Sequence, residues 1–171
     1  VAHVAIQEGC RIINDISSGD MDNEMIETVS RLKVPYISMH MQGRPDTMQS
    51  NPTYDQITKD VFSYFKSKIT QFQQHGIEQI IIDPGFGFGK TIEHNYTLLR
   101  ELDSFKSLQK PLLVGLSRKS MMYKLLNTTP EESLNATSAL HMVALLKGAH
   151  ILRVHDVKPA KEIIQLYQQV N

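Results

Sequence analysis

Five short runs along the chain are apolar on nearly every residue: Arg11–Ile16, Pro35–His40, Gln79–Asp83, Pro111–Ser117 and Ala149–His155. Runs of that length, rich in Ile, Val and Leu without alternation, read as strands buried on both faces of a parallel sheet. Longer segments with helical spacing separate them: Asp22–Leu32, Tyr54–His75, His94–Leu102, Pro130–Lys147 and Pro159–Val170. In Tyr54–His75 the apolar positions Ile57, Val61, Tyr64, Phe65, Ile69 and Phe72 fall three or four apart, the period of one helix face. Gly76 and Gly148 follow helical segments directly, where a helix end favours glycine. Val1–Gly9 reads as the tail of a further helix. Strands alternating with helices predict an α/β domain with a parallel sheet. No linker, low-complexity tract or break in composition divides it, so residues 1–171 read as a single domain. On pattern alone, an incomplete (β/α) barrel of about five units and an open doubly wound sheet both remain.

Polar residues gather where each strand ends. They are Asn14 and Asp15, then Met39 with His40, Asp83, the triplet Ser117, Arg118 and Lys119, and last Arg153, His155 and Asp156. In parallel α/β folds the C-terminal strand ends form the active-site face. Arg153 and His155 are two apart on a strand and so share a face. With Arg118 and Lys119 on the preceding strand end, they predict a cationic rim suited to an anion such as pyrophosphate. The segment Asp83–Thr91 (DPGFGFGKT) carries a strand-end carboxylate into a glycine-rich loop with two rings, Phe86 and Phe88. It is no P-loop, because the required glycine position holds Pro84, and its glycines miss the dinucleotide spacing G-x-G-x-x-G. It can instead offer close backbone approach, a flat apolar wall and a carboxylate that accepts paired N–H donors such as an aminopyrimidine edge.

Composition narrows the partners. Lys plus Arg and Asp plus Glu number 18 each, so no global field calls for nucleic acid or an anionic membrane. No run approaches the length of a membrane span. The single cysteine, Cys10, excludes an internal disulfide framework, fits a reducing cytoplasm, and lies in an apolar stretch that predicts a buried thiol. The seven histidines lack metal-ligand spacing, so no metal ligand is assigned. No G-x-S-x-G elbow marks a nucleophilic serine.

Ile12–Ser17 (IINDIS), Met39–Gly43 (MHMQG), Asp83–Lys90 (DPGFGFGK), Gly115–Ser120 (GLSRKS) and Gly148–Val157 (GAHILRVHDV), with Leu134–Leu140 (LNATSAL) between the last two, occur in that order. In this the chain resembles the dihydropteroate synthases over essentially its whole length. The resemblance implies a TIM (β/α)8 barrel of the pterin-binding type, with about its last five βα units in this chain. It implies a Mg²⁺-dependent condensation of 6-hydroxymethyl-7,8-dihydropterin diphosphate with p-aminobenzoate, giving 7,8-dihydropteroate and pyrophosphate in folate biosynthesis. Asn14, Met39, Asp83 and Lys119 would bind the pterin, Phe88 and Ser117 would border p-aminobenzoate, and Arg153 and His155 would hold the diphosphate. Lys119, Arg153 and His155 would then be the catalytic groups. The metal would sit mainly on the substrate diphosphate and on family segments that precede the helix at which this chain opens. The family further implies a cytoplasmic homodimer, small-molecule substrates and sulfonamides as p-aminobenzoate mimics. Two alternatives stand beside this reading: a pterin-dependent methyltransferase barrel, and a non-catalytic fragment that keeps only pterin binding.

Overall fold

The computed structural model describes residues 1–170. Its five strands run in parallel: β1 Ile13–Asp15, β2 Tyr36–Met39, β3 Ile80–Asp83, β4 Leu113–Val114 and β5 Ile151–Leu152. β1, β2 and β3 pair in sequence order, a bridge from Ile82 to Leu112 carries the ladder on, and β4 pairs with β5. Each observed strand lies inside the longer apolar run that predicts it. The fourth and fifth shorten most, each from seven residues to two; in the fourth, Gly115–Lys119 leaves the ladder to enter the site loop.

The helices are α1 Ala2–Gln7, α2 Met25–Leu32, α3 Ile57–Gln74, α4 Ile92–Arg100, α5 Ser120–Tyr123, α6 Leu134–Leu146 and α7 Val157–Val170. Gly76 and Gly148 adopt positive φ just beyond α3 and α6, as their positions predict. α4 begins two residues before its apolar pattern, because Thr91 and His94 form a reciprocal cap: Thr91 Oγ1 accepts from the His94 N–H, and His94 Nδ1 from the Thr91 N–H. Pro159 falls in the first turn of α7, where a missing N–H costs nothing. The 3₁₀ turns Leu102–Leu108 and Glu131–Ser133 and the four-residue α5 are too short for periodicity to reveal. Cys10 is exposed, contrary to the buried thiol that its neighbours predict. It lies after Gly9, where α1 has ended and β1 has not begun, so neither element covers it.

Register divides the sheet into two faces. Ile13, Tyr36, Ile80, Ile82, Leu112, Val114 and Leu116 turn towards the helices and join Val61, Phe65, Phe72, Leu98, Leu102 and Phe105 in one core. Asp15 sits on that same face, beside Ser38 in register. It accepts from the Ser17 and Gly19 N–H groups at 2.8 and 2.7 Å and from the Tyr36 O–H at 2.6 Å. Burial favours the neutral acid, but these donors together outweigh it and hold Asp15 below the usual carboxylate range. Lys68 reaches from α3 to the Ser18 carbonyl at 3.0 Å and to Asp20, tying the loop after β1 to a helix. The opposite face carries Asn14, then Ile37 and Met39, Ile81 and Asp83, Leu113, and Arg153, and it is here that the strand-end chemistry lies.

A depressed Asp15 pKa stabilises the fold fully above the ordinary carboxylate range, and the contribution is lost as pH falls through the folded value. Tyr36→Phe removes one donor from a buried carboxylate and should cost about 1–3 kcal/mol in urea unfolding at neutral pH. Its stability should also fall less steeply than the wild type's below about pH 4.

Candidate active site

Asp83 ends β3 with 1% of its surface exposed. Its Oδ1 accepts the Gly85 N–H at 2.8 Å, which fixes the carboxyl plane. Its Oδ2 has no hydrogen-bond partner, though the Arg153 guanidinium stands 3.4 Å away in an ion pair without hydrogen-bond alignment. Burial pushes the Asp83 pKa up, opposed by the Gly85 N–H and by the charges of Arg153, Lys119 and Lys90. An oxygen left bare beside a cation is poised for a donor that arrives with a ligand.

The glycine-rich loop after Asp83 lies directly on the segment that follows β2. A Cβ on Gly85 would stand 1.9 Å from the His40 carbonyl oxygen, and one on Gly89 2.3 Å from that of Gln42. Both residues also have positive φ, so glycine is required twice over. Phe88 rises from this loop into a cleft of about 330 Å³, lined with Gly115, Ser117, Lys119, Arg153, Val154 and His155. The Lys119 ammonium lies 4.5 Å from the Phe88 ring centroid and donates to the Phe86 carbonyl. Burial lowers its pKa to about 8, against the attraction of Asp83. Ser117 is buried, and its Oγ accepts the His155 N–H at 3.3 Å and lies 3.1 Å from His155 Nδ1. His155 itself is exposed, with its ring anchored at one nitrogen.

Six of the residues singled out from sequence therefore meet: Asp83, Phe88, Ser117, Lys119, Arg153 and His155. Met39 and Asn14 share their face of the sheet but do not line the cleft. Met39 is a register partner of Asp83, fully buried beneath the glycine-rich loop; Asn14 is exposed on β1. Two expectations need correction. Phe86 forms no ligand wall but packs in the core at 1% exposure. Arg118 does not join the cationic rim: its guanidinium forms two hydrogen bonds with Asp156, at 2.8 and 2.9 Å, and donates to the Pro130 and Glu131 carbonyls. Its positive φ turns it away from Lys119 to brace α7 against the turn before α6.

Sequence reasoning assigned no role to Lys90, which is 3% exposed. Its ammonium lies 2.9 Å from His40 Nδ1 and donates to the Gly85 and Phe88 carbonyls at 3.0 Å each. A lysine closing a glycine-rich loop was the available signal, obscured by its likeness to a phosphate-binding lysine.

A family model described as pterin binding enzyme matches residues 1–155. This chain belongs to the pterin-binding enzyme family. Within it the chain sits with the dihydropteroate synthases: it is 45% identical to that of Escherichia coli over 94% of this chain and 57% of the relative's length. It is 39% identical to that of Haemophilus influenzae, over 98% and 62%. The chain thus spans about three-fifths of the curated relatives' length. The Yersinia pestis dihydropteroate synthase, solved with a sulfonamide drug complex, superposes with a TM-score of 0.93 at 38% identity, over 97% of this chain and 61% of that one. The Thermus thermophilus enzyme in complex with 4-aminobenzoate gives 0.94 at 35%, over 100% and 67%. The parallel strands of this chain are accordingly staves of a TIM barrel, not an open doubly wound sheet, and the cleft lies at their C-terminal ends.

Gly115 leaves room for Arg153: a Cβ there would stand 2.9 Å from the guanidinium. Because the clash is with the mobile end of a side chain, Gly115→Ala should leave the melting temperature nearly unchanged. Affinity for inorganic pyrophosphate, measured by calorimetry, should fall by about tenfold or more.

Proposed function

We propose that this chain carries the pterin, p-aminobenzoate and diphosphate sites of a dihydropteroate synthase, joining 6-hydroxymethyl-7,8-dihydropterin diphosphate to p-aminobenzoate. The observation that carries this reading is Asp83: a buried carboxylate with one oxygen fixed and the other bare, 3.4 Å from the Arg153 guanidinium that lines the cationic cleft. The bare oxygen suits an N–H donor of the pterin edge, with Lys119 set against the ring. Phe88 and Ser117 border the arylamine, and Arg153 and His155 take the diphosphate. Asn14 and Met39 complete the pterin pocket from the same sheet face, Met39 from its buried place behind the glycine-rich loop.

In the reaction proposed, the bond between the pterin methylene carbon and the diphosphate oxygen breaks first, and pyrophosphate leaves with the electron pair. Arg153, held open by Gly115, and His155, oriented by Ser117, stabilise the negative charge that grows on the leaving group. The p-aminobenzoate nitrogen then attacks the pterin cation and releases a proton. Tight burial of Asp83 sharpens the choice of substrate, since a ring lacking the matching donors leaves a buried oxygen unpaired.

We further propose that Mg²⁺ enters with the diphosphate. Among the described residues no three histidines, cysteines or carboxylates gather to hold a metal, so these residues alone do not fit a protein-built magnesium site. A cytoplasmic homodimer belongs to the same proposal. Among the described residues no helix is long and apolar enough to cross a membrane. Exposed apolar residues on the last two helices, Val143, Leu146, Val157, Leu166 and Val170, support an interface.

A pterin-dependent methyltransferase shares the use of Asn14 and Asp83 but leaves the paired Arg153 and His155 without a partner, so the synthase reading is favoured. Titration with the pterin diphosphate and Mg²⁺ tests it. Asp83→Asn, checked for folding, should weaken binding by about 1–3 kcal/mol. Equal binding by wild type and variant would contradict the assignment of the pterin to Asp83.

A further inference from the structure

Lys90 is buried at 3% exposure and does not line the cleft; its hydrogen bonds go to His40, Gly85 and Phe88, and its charge also acts on Asp83. A buried ammonium is costly unless its protons are placed. Here the three protons have three acceptors: His40 Nδ1 at 2.9 Å and the Gly85 and Phe88 carbonyls at 3.0 Å. The His40 carbonyl adds a fourth, longer contact at 3.4 Å. Burial lowers the Lys90 pKa to about 7, against the attraction of Asp83; with Lys90 protonated, His40 accepts at Nδ1 and carries its proton on Nε2. Burial and the Lys90 charge together push the His40 pKa down to about 3, which keeps it neutral. Its ring is also wedged edge-on against Tyr64, 4.9 Å between centroids, so the acceptor nitrogen cannot swing away freely.

The acceptors are informative because of what else their residues do. Gly85 supplies the N–H that fixes Asp83 Oδ1. Phe88 supplies the ring that lies against Lys119. Lys90 thus holds by their carbonyls the two loop residues that set the pterin carboxylate and the aryl wall. His40, immediately after β2, is the fixed post to which it ties them. The rest of the loop is braced from outside: Tyr54 O–H donates to the Gly89 carbonyl at 2.7 Å, and Asn95 accepts the Gly87 N–H at 2.7 Å.

We propose that Lys90, through its bond to His40, is a positioning residue for the pterin and aryl sites, acting on the glycine-rich loop and not on the diphosphate. The proposal rests on the synthase reading above. It separates two halves of the substrate, because Ser117 anchors His155 and Gly115 leaves room for Arg153, whose one link to this loop is indirect, through its ion pair with Asp83.

The test uses two probes on the full chain: a hydroxymethylpterin lacking the diphosphate, and inorganic pyrophosphate. Lys90→Met, of similar length but without donors, should weaken the pterin at least tenfold and leave pyrophosphate within about twofold. In amide NMR spectra the Gly85 resonance, which reports its bond to Asp83, should move while that of His155 stays. His40→Phe, which keeps a ring but removes the acceptor, should give a smaller loss with the same selectivity, and it decides the matter should Lys90→Met not fold. Unchanged pterin affinity in a folded variant overturns the proposal, as does a parallel loss of both probes, which would mark a merely structural lysine. A wild-type chain that binds pyrophosphate but no pterin would instead refute the synthase reading itself.

Discussion

The structure is organised around one buried carboxylate. Asp83 lies at the end of a central strand, out of water, with a single backbone N–H to satisfy it and one oxygen left bare. That arrangement carries a free-energy cost in the absence of ligand. The neighbouring parts respond to it: the loop must double back closely enough to present Gly85, which demands glycine where backbone meets backbone, and three cations, Arg153, Lys119 and Lys90, stand near enough to favour the ionised form. In the proposed function a ligand donor at that oxygen offsets the cost, so the same feature gives selectivity.

A second constraint is the separation of labour between the two sheet faces. Side chains turned to the helices make a largely apolar core in which the polar Asp15 and Ser38 are buried, and Asp15 is fully provided with donors. Side chains turned the other way carry the reactive groups. A parallel register links them in rows, so Met39 falls beside Asp83 and Asn14 beside Ile37. Charge is sorted as well. Arg118 neutralises Asp156 and becomes a brace, whereas the neighbouring Lys119 keeps its charge for the cleft.

Much of this was legible in the sequence. Unbroken apolar runs located every strand, because parallel strands covered on both faces leave no alternation to misread. The polar strand ends gave the site face, and Arg153 with His155 gave its cationic side. The remainder was hidden for identifiable reasons. Strand spacing cannot report which way a residue turns at a loop with positive φ, and so Arg118 was placed on the rim. Two rings two apart in a loop look equivalent, yet Phe86 fills the core and Phe88 the cleft. Lys90 could not be ranked because its acceptors are two carbonyls and a histidine fifty residues away, contacts that only the folded loop creates. Cys10 misled because apolar neighbours in sequence were not neighbours in space.

The most direct test of the central claim is the titration of the Asp83 carboxyl carbon by NMR, with and without a bound pterin. Burial should place its pKa above the ordinary carboxylate range in the free protein, and donation from the pterin edge to the bare oxygen should bring it down on binding. A carboxyl whose titration is unmoved by a saturating pterin would contradict the account, since the ligand would then be recognised elsewhere.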